Sequence, residues 1–519
     1  MKWRKVDDNN INLFIKTDSA IKLKLTATPK EPLENKGWYK TAQCIARVLM
    51  MVRNISGSYR NQYQMGLPGF MPTVGDAFGQ NRNDGVLTPG LDFAFGLIDD
   101  NYIDKAKERG WLLNNSTAAT PATTSRTEDL QLKVTLEPVK NLKIDLMASR
   151  NETTAKRIQY MNAGNPTSQS GNLTMTTISI ASAFEPMGDA TNGYHSSTFK
   201  KFVNSLDTYR ERVEAQYAGA KYPGGGTYDP SLGSVNKYSA DVMIPAFLDA
   251  YTSMGGSGLN LFPKLKSLLP NWTVRYSGLA QLPWFSEIFK SININHSYKS
   301  VYSIGSYQSY STWQEWRDGL GFVTEATSGN LVPSSMYNIP QVTINEAFSP
   351  LLGIDLTMQN NLTCKLEYRT TRVLSLSMTS IQLNEALSKD WVVGLGYKIS
   401  NFNLFGGGNH RRVKSKKKDD DSNTNKSNTR GLNHDMNLRL DFSYRRQAAL
   451  SRDIASLESA ASSGNTAYKL SFSADYTLSR LVSMSFFYDM QMNKPLLAAN
   501  SYPTTTHDFG LNLKLSLTR

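Results

Sequence analysis

Cysteine is nearly absent from this chain: Cys44 and Cys364 are the only two in 519 residues. Two residues so far apart supply neither a disulfide framework nor a cysteine-rich zinc site. Histidine is as sparse, with five residues at 195, 296, 410, 434 and 507 and no HExxH or Cys/His spacing that suits zinc. No GxSxG elbow or P-loop occurs, and Gly255-Gly256-Ser257-Gly258 lacks the strand and helix context of a phosphate cradle. No cofactor, metal or catalytic step is therefore expected. Long apolar runs are missing too. No stretch approaches the roughly 18 uninterrupted apolar residues of a helical membrane span, and the mean hydropathy is −0.40. The opening MKWRKVDDNN runs into Asp7 and Asp8 without an apolar core, so it does not read as a secretory signal. Averages alone would make this a soluble cytoplasmic protein of several domains.

The net charge of +13 is unevenly placed. Between His410 and Arg430, eight basic side chains (Arg411, Arg412, Lys414, Lys416, Lys417, Lys418, Lys426, Arg430) stand against Asp419, Asp420 and Asp421. Nucleic-acid binding would call for aromatics interleaved with these cations, and there are none. Segment 405–431 is expected to be a solvated, flexible charged loop, and no nucleic-acid partner is expected.

What the chain does have is a period of two. From 432 to 445, Leu432, His434, Met436, Leu438, Leu440, Phe442 and Tyr444 alternate with Asn433, Asp435, Asn437, Arg439, Asp441, Ser443 and Arg445. The same alternation returns at 468–478, at 509–518, around Leu352 to Met358, and at Leu362, Cys364, Leu366 and Tyr368 against Lys365, Glu367 and Arg369. Leu130 to Leu136 and Leu142 to Ala148 form a hairpin about Pro138 to Asn141, and Trp272 to Tyr276 and Ile292 to Ile304 continue the series with small register breaks. Each segment predicts a two-faced strand.

Soluble strands average five or six residues, whereas a membrane-spanning strand needs about 9 to 11 with one apolar face. The runs reach that length and place full charges in mid-strand on the polar side. The predicted fold class is therefore all-β: an antiparallel transmembrane β-barrel segment, part of a very large barrel, with small helical insertions. On this reading Lys365, Glu367, Asp435, Asn437, Arg439, Asp441 and Arg445 face the lumen and keep it wet. Tyr and Trp near strand ends suit the headgroup level, although both are also routine strand formers.

Two stretches depart from the strand pattern. Phe199, Phe202, Val203, Leu206, Tyr209, Val213 and Tyr217 recur at helical spacing. A second helix is expected from about Ser239, with Pro245 kinking it or marking its start. Segment 197–260 is thus a helical insertion or cap, with a docking insertion or a lumen plug as alternatives. The Gly/Pro-rich 66–90 predicts an irregular crossover.

The chain carries long ordered blocks: Asn61-Gln-Tyr-Gln-Met-Gly-Leu-Pro-Gly-Phe70 with Phe78-Gly-Gln80, Ala347-Phe-Ser-Pro-Leu-Leu-Gly-Ile-Asp-Leu356 with Asn361-Leu362 and Leu366-Glu-Tyr-Arg369, and Val393-Gly-Leu-Gly-Tyr397. Ala474-Asp-Tyr-Thr-Leu478, Phe487-Tyr-Asp489, Asn493-Lys-Pro495, Ser501-Tyr-Pro-Thr-Thr505 and the closing Phe509-Gly510 to Ser516-Leu517-Thr518 complete the set. Together these blocks resemble the C-terminal part of the SprA/Sov family, the outer-membrane translocon of the type IX secretion system. The match spans most of the chain and is loosest at 101–126, 160–260 and 410–430. The resemblance implies that 1–519 is the C-terminal portion of an outer-membrane protein-conducting barrel of very many strands. It also implies its partners: the rest of the translocon chain, a smaller shuttle barrel, a periplasmic plug protein, secreted cargo proteins with C-terminal sorting signals, and outer-membrane lipid. The chain is shorter than typical members, so a fragment or truncated gene product is expected. A porin or nutrient-uptake outer-membrane barrel is the alternative.

Overall fold

Alternation becomes strand almost wherever it occurs. The computed structural model describes residues 2–6, 11–14, 16, 38, 43, 50–75, 78–113, 120–160, 167–254, 261–325, 328–400, 402, 435–478, 482–497 and 502–516. The charged loop 405–431 and the cluster Gly255 to Gly258 lie outside them. Residues 1–50 and 51–519 are separate units. In the first, Lys2–Lys5 pairs antiparallel with Ile11–Phe14.

The second unit is built on a 14-stranded sheet, its shortest member the two-residue Tyr337–Asn338 paired with Gln308 and Ser309. It begins with β1 (Val52–Gly66), β2 (Ala122–Leu136) and β3 (Leu142–Ile158). Next, β4 (Ser168–Thr176) and β5 (Asn271–Tyr276) share one column between β3 and β6 (Phe289–Ser309). Then β7 (Gln341–Met358), β8 (Leu362–Ser377), β9 (Gln382–Ile399) and β10 (Met436–Asp453) follow in chain order. The series closes with β11 (Ser459–Thr477), β12 (Val482–Pro495) and β13 (Thr504–Leu515). Every pairing along this path is antiparallel, from β1 at one edge to β13 at the other. Among the described residues, no strand pairs with the outer side of β1 or β13. The all-β architecture with small helical insertions is as expected, and β6 carries the anticipated register shifts between Phe289 and Ser291 and between Asn295 and Tyr298.

The shared column explains where the insertion comes from. β4 leaves the sheet at mid-height after Thr176, and the chain re-enters at Asn271 to complete the column as β5. A short helix α1 (Asn101–Glu108) precedes it, and the insertion itself carries α2 (Ser197–Gln216) and α3 (Ala240–Tyr251). The seven residues spaced for a helix face, Phe199 to Tyr217, are all buried, and Ser196 Oγ caps α2 by accepting from Phe199 N–H. Helix α3 starts after Ser239 as predicted, but the Ser239 hydroxyl makes no capping bond, and Pro245 sits inside the helix. Phe202, Leu206, Phe247 and Tyr251 pack onto Tyr302, Ile304, Ile344, Leu374 and Leu383 of the sheet. Burial of each large apolar side chain there contributes about 1.5 to 3 kcal/mol.

One sequence expectation needs correction. Segment 66–90 is not wholly irregular, because Asn81–Asn83 pairs with Val86–Thr88. Asp84 and Gly85 lie between them at φ of 50° and 82°, the positive values that a two-residue Asp-Gly hairpin turn demands.

Candidate functional site

Residues directly paired across strands lie on the same side of a sheet, so the observed register turns single-strand parity into whole faces. Leu356, Cys364, Leu395, Leu440, Phe472, Tyr488 and Phe509 form one continuous row from β7 to β13. The next row is Ile354, Leu366, Val393, Phe442, Leu470, Met490 and His507, and the next is Leu352, Tyr368, Trp391, Tyr444, Tyr468 and Met492. In the opposite direction come Leu362, Tyr397, Leu438, Ala474, Phe486 and Leu511. This front face is apolar over its near half, the half that holds Leu362 to Tyr368.

From Met436 to Tyr444 the apolar band is about nine residues tall, the length of a membrane-crossing strand. Six strand spacings make it about 30 Å wide. Among the described residues it is largely open: Leu395 is 40% exposed, Trp391 44% and Leu513 69%, and only at its near end does Phe402 pack on the buried Tyr476. Soluble monomers rarely leave an apolar patch beyond a few hundred Å² uncovered. The band ends in aromatics, with Tyr368 stacked on Trp391 at 4.4 Å and Tyr444 beside Tyr468 at 5.1 Å between ring centroids.

The far half of the same face is built differently, because the insertion lies on it. Buried ions anchor the insertion there. Glu346 Oε1 accepts from Ser179 Oγ at 2.7 Å and Tyr298 Oη at 2.8 Å, and its Oε2 accepts from Arg372 Nη2 at 2.8 Å. Arg372 also donates to the Ser182 carbonyl at 2.7 Å, which joins β7 and β8 to the first turn of the departing chain. Arg452 bonds Glu385 and, through Nη1, the carbonyl of Tyr194. Because the insertion shares the parity of the apolar band, it packs on the front face and leaves the back face open.

All seven candidate residues share the back face. The structure brings them together as local pairs rather than one ladder. Glu367 holds Lys365 at 3.0 Å and Arg369 on its other oxygen; Arg439 holds Asp441 at 2.9 Å. Arg445 reaches Asp390 of β9 at 2.9 Å, and Asp435 reaches Lys398 at 2.8 Å. Asn437 pairs in register with Lys398 and Asp475. Gly394 makes room for this crowding, since a Cβ there would stand 2.7 Å from Asp441 Oδ1.

Register adds residues that single-strand parity could not relate. Asp355, Lys365, Gly394, Asp441, Ser471, Asp489 and Asp508 are one row, so four carboxylates stand at one level behind the apolar band. Elsewhere, a polar cleft of about 1030 Å³ between β1–β3 and α1 holds Tyr63, Asp100, Arg126, Glu128, Glu152 and Lys156. Its charges are already matched, Lys156 with Asp100 at 2.6 Å and Arg126 with Glu128 at 2.9 Å. No group of three or more His, Cys, Asp or Glu side chains that suits a metal ion occurs among the described residues.

No family model and no curated protein matches the chain. Among solved structures, it is similar to the beta domain of the Bordetella autotransporter BrkA, at 7% identity and a TM-score of 0.20, over 76% of this chain and 92% of that one. It is also similar to the anion-selective porin from Comamonas acidovorans, at 9% identity and a TM-score of 0.10, over 75% and 91%. At these scores neither likeness bears on function. No helix among the described residues is long and apolar enough to cross a membrane.

Proposed function

We propose that the chain is a wall segment of an outer-membrane β-barrel and, on its resemblance to the SprA/Sov family, the C-terminal portion of the type IX protein-conducting translocon. One observation carries the membrane part: a nine-residue apolar band, largely uncovered across β7 to β13, backed by a face that is polar apart from Val392 and Phe487. In hydrocarbon every backbone N–H and C=O must be paired within the protein, which long antiparallel strands achieve except at an edge. The free edges of β1 and β13 therefore call for further strands, supplied by the rest of the translocon chain. Lys365, Glu367, Asp441 and their row-mates then line a wet lumen through which folded cargo with C-terminal sorting signals passes, without a catalytic step. A smaller shuttle barrel and a periplasmic plug protein are the partners this assignment brings with it.

Membrane fractionation and gene deletion test the two levels separately. The chain is expected in the outer-membrane fraction, and deletion is expected to keep sorted cargo from the cell surface. Normal cargo display in the deletion strain would remove the translocon assignment and leave the barrel. The porin reading draws on one feature, that β1 and β13 run antiparallel and so are oriented to pair directly. It predicts solute uptake that is lost on deletion and no dependence of cargo on the chain.

A further inference from the structure

On the front face, the row immediately beyond Tyr368, Trp391, Tyr444 and Tyr468 is Thr370, Lys389, Arg446, Thr466 and Lys494. Three cations on β9, β10 and β12 thus share one level, just outside the aromatics. Lys389 and Arg446 are direct cross-strand partners, a placement that like charges disfavour unless an anion joins them. None of the three has an ion-pair partner among the described residues. Asp189, the insertion carboxylate within electrostatic reach of Arg446, is already engaged by the N–H groups of Thr191 and Asn192. The contrast on the same half-face is sharp. Arg126, Arg150, Lys156, Arg372 and Arg452 are each matched by a carboxylate.

A bilayer orders its chemistry by depth: hydrocarbon, then an aromatic belt, then the phosphates of the headgroups. The front face repeats that order, from Leu440 and Phe442 through Tyr444 and Trp391 to Arg446 and Lys389. The Lys494 ammonium lies 5.9 Å from the Tyr468 ring centroid, which ties the basic row to the aromatic one. Arginine presents a fork that matches phosphate oxygens and lysine a compact charge beside it. We propose that Lys389, Arg446 and Lys494 form a binding site for the phosphate of an anionic lipid headgroup, with its acyl chains against Phe442 and Leu470. This rests on the membrane reading above, and it adds the depth at which the sheet sits and the lipid class at that level.

The test uses the full chain, extracted and mixed with vesicles of phosphatidylcholine alone or of phosphatidylcholine with phosphatidylglycerol. Flotation reports membrane association, and mass spectrometry counts the phosphatidylglycerol retained after re-extraction. The wild type is expected to float with both and to retain phosphatidylglycerol selectively. K389Q/R446Q/K494Q is expected to lose about tenfold of that selectivity, while K389R/R446K/K494R keeps it and K469Q on the back face leaves it unchanged. Flotation with equal retention in wild type and neutral variant would sink the headgroup site and spare the membrane reading. Failure to float with either vesicle would sink both. Saturable binding of inorganic phosphate to the same three residues, without lipid selectivity, would overturn the lipid assignment.

Discussion

Arg452 of β10 and Glu385 of β9 are joined twice through one oxygen: Nε and Nη2 of the arginine donate to Glu385 Oε2 at 3.0 and 2.9 Å. The remaining nitrogen, Nη1, donates to the Tyr194 carbonyl and to Ser459 Oγ, and the guanidinium faces the Phe199 ring at 5.7 Å. Two sheet residues thereby hold the insertion by its backbone and by the start of α2. The arginine is 1% exposed and the carboxylate 10%, so neither charge has water to fall back on.

Removing one member of such a pair leaves the other buried and uncompensated, at about 3 to 5 kcal/mol. Glu385→Gln is expected to destabilise the docked insertion by about 3 kcal/mol, and Glu385→Leu with Arg452→Met to recover most of it. Limited proteolysis of the full chain in the Gly-rich turn 223–226 reads this out, because cleavage follows local opening. Equal cleavage in wild type and Glu385→Gln would show that the clamp does not hold the insertion.

Glu185 sits at the N-terminus of α2. Burial pushes its carboxyl up, but bonds from Thr198 and Ser197, side chain and backbone, outweigh that and hold it below its usual 4.5. A depressed folded-state pKa stabilises above the unfolded value and is lost as pH falls through the folded one. The insertion is therefore expected to open to protease progressively below about pH 4.5. Glu185→Gln is expected to remove that pH dependence and about 1 kcal/mol of stability at pH 7. An unchanged pH profile in the variant would count against this account.

The two faces give opposite chemical accessibilities in membranes. In a background with Cys44→Ser and Cys364→Ser, Lys365→Cys and Asn437→Cys are expected to react with a water-soluble maleimide at least about tenfold faster than Leu366→Cys and Leu440→Cys. Comparable rates at neighbouring positions would mean that both faces meet water, as in a soluble sheet.

Edge strands discriminate the two barrel readings. With Ser58→Cys on β1 and Asn512→Cys on β13 in that background, short bifunctional thiol reagents are expected to give no intrachain cross-link in membranes when further strands separate the edges. An efficient cross-link would mean direct closure, favouring the porin reading.

Much of this fold is legible in local sequence. A period of two identifies β8, β10, β11 and β13, and helical spacing from Phe199 to Tyr217 names the buried face of α2, because both depend only on where successive side chains point along one segment. Parity alone also placed Lys365, Glu367, Asp435, Asn437, Arg439, Asp441 and Arg445 on a common face. A further signal was present but unread: Arg372, Glu385 and Arg452 occupy apolar-parity positions, where a charge is expected only if something pairs with it.

Tertiary structure decided the rest. Which residues share a level, such as Asp355 with Asp508 or Lys389 with Arg446, follows from hairpin register accumulated across successive strands, and a one-residue slip would reverse each face. That the insertion covers the front face depends on contacts between segments far apart in the chain, Ser182 with Arg372 and Tyr194 with Arg452. Local periodicity fixes the direction of a side chain; only long-range packing determines what it meets there.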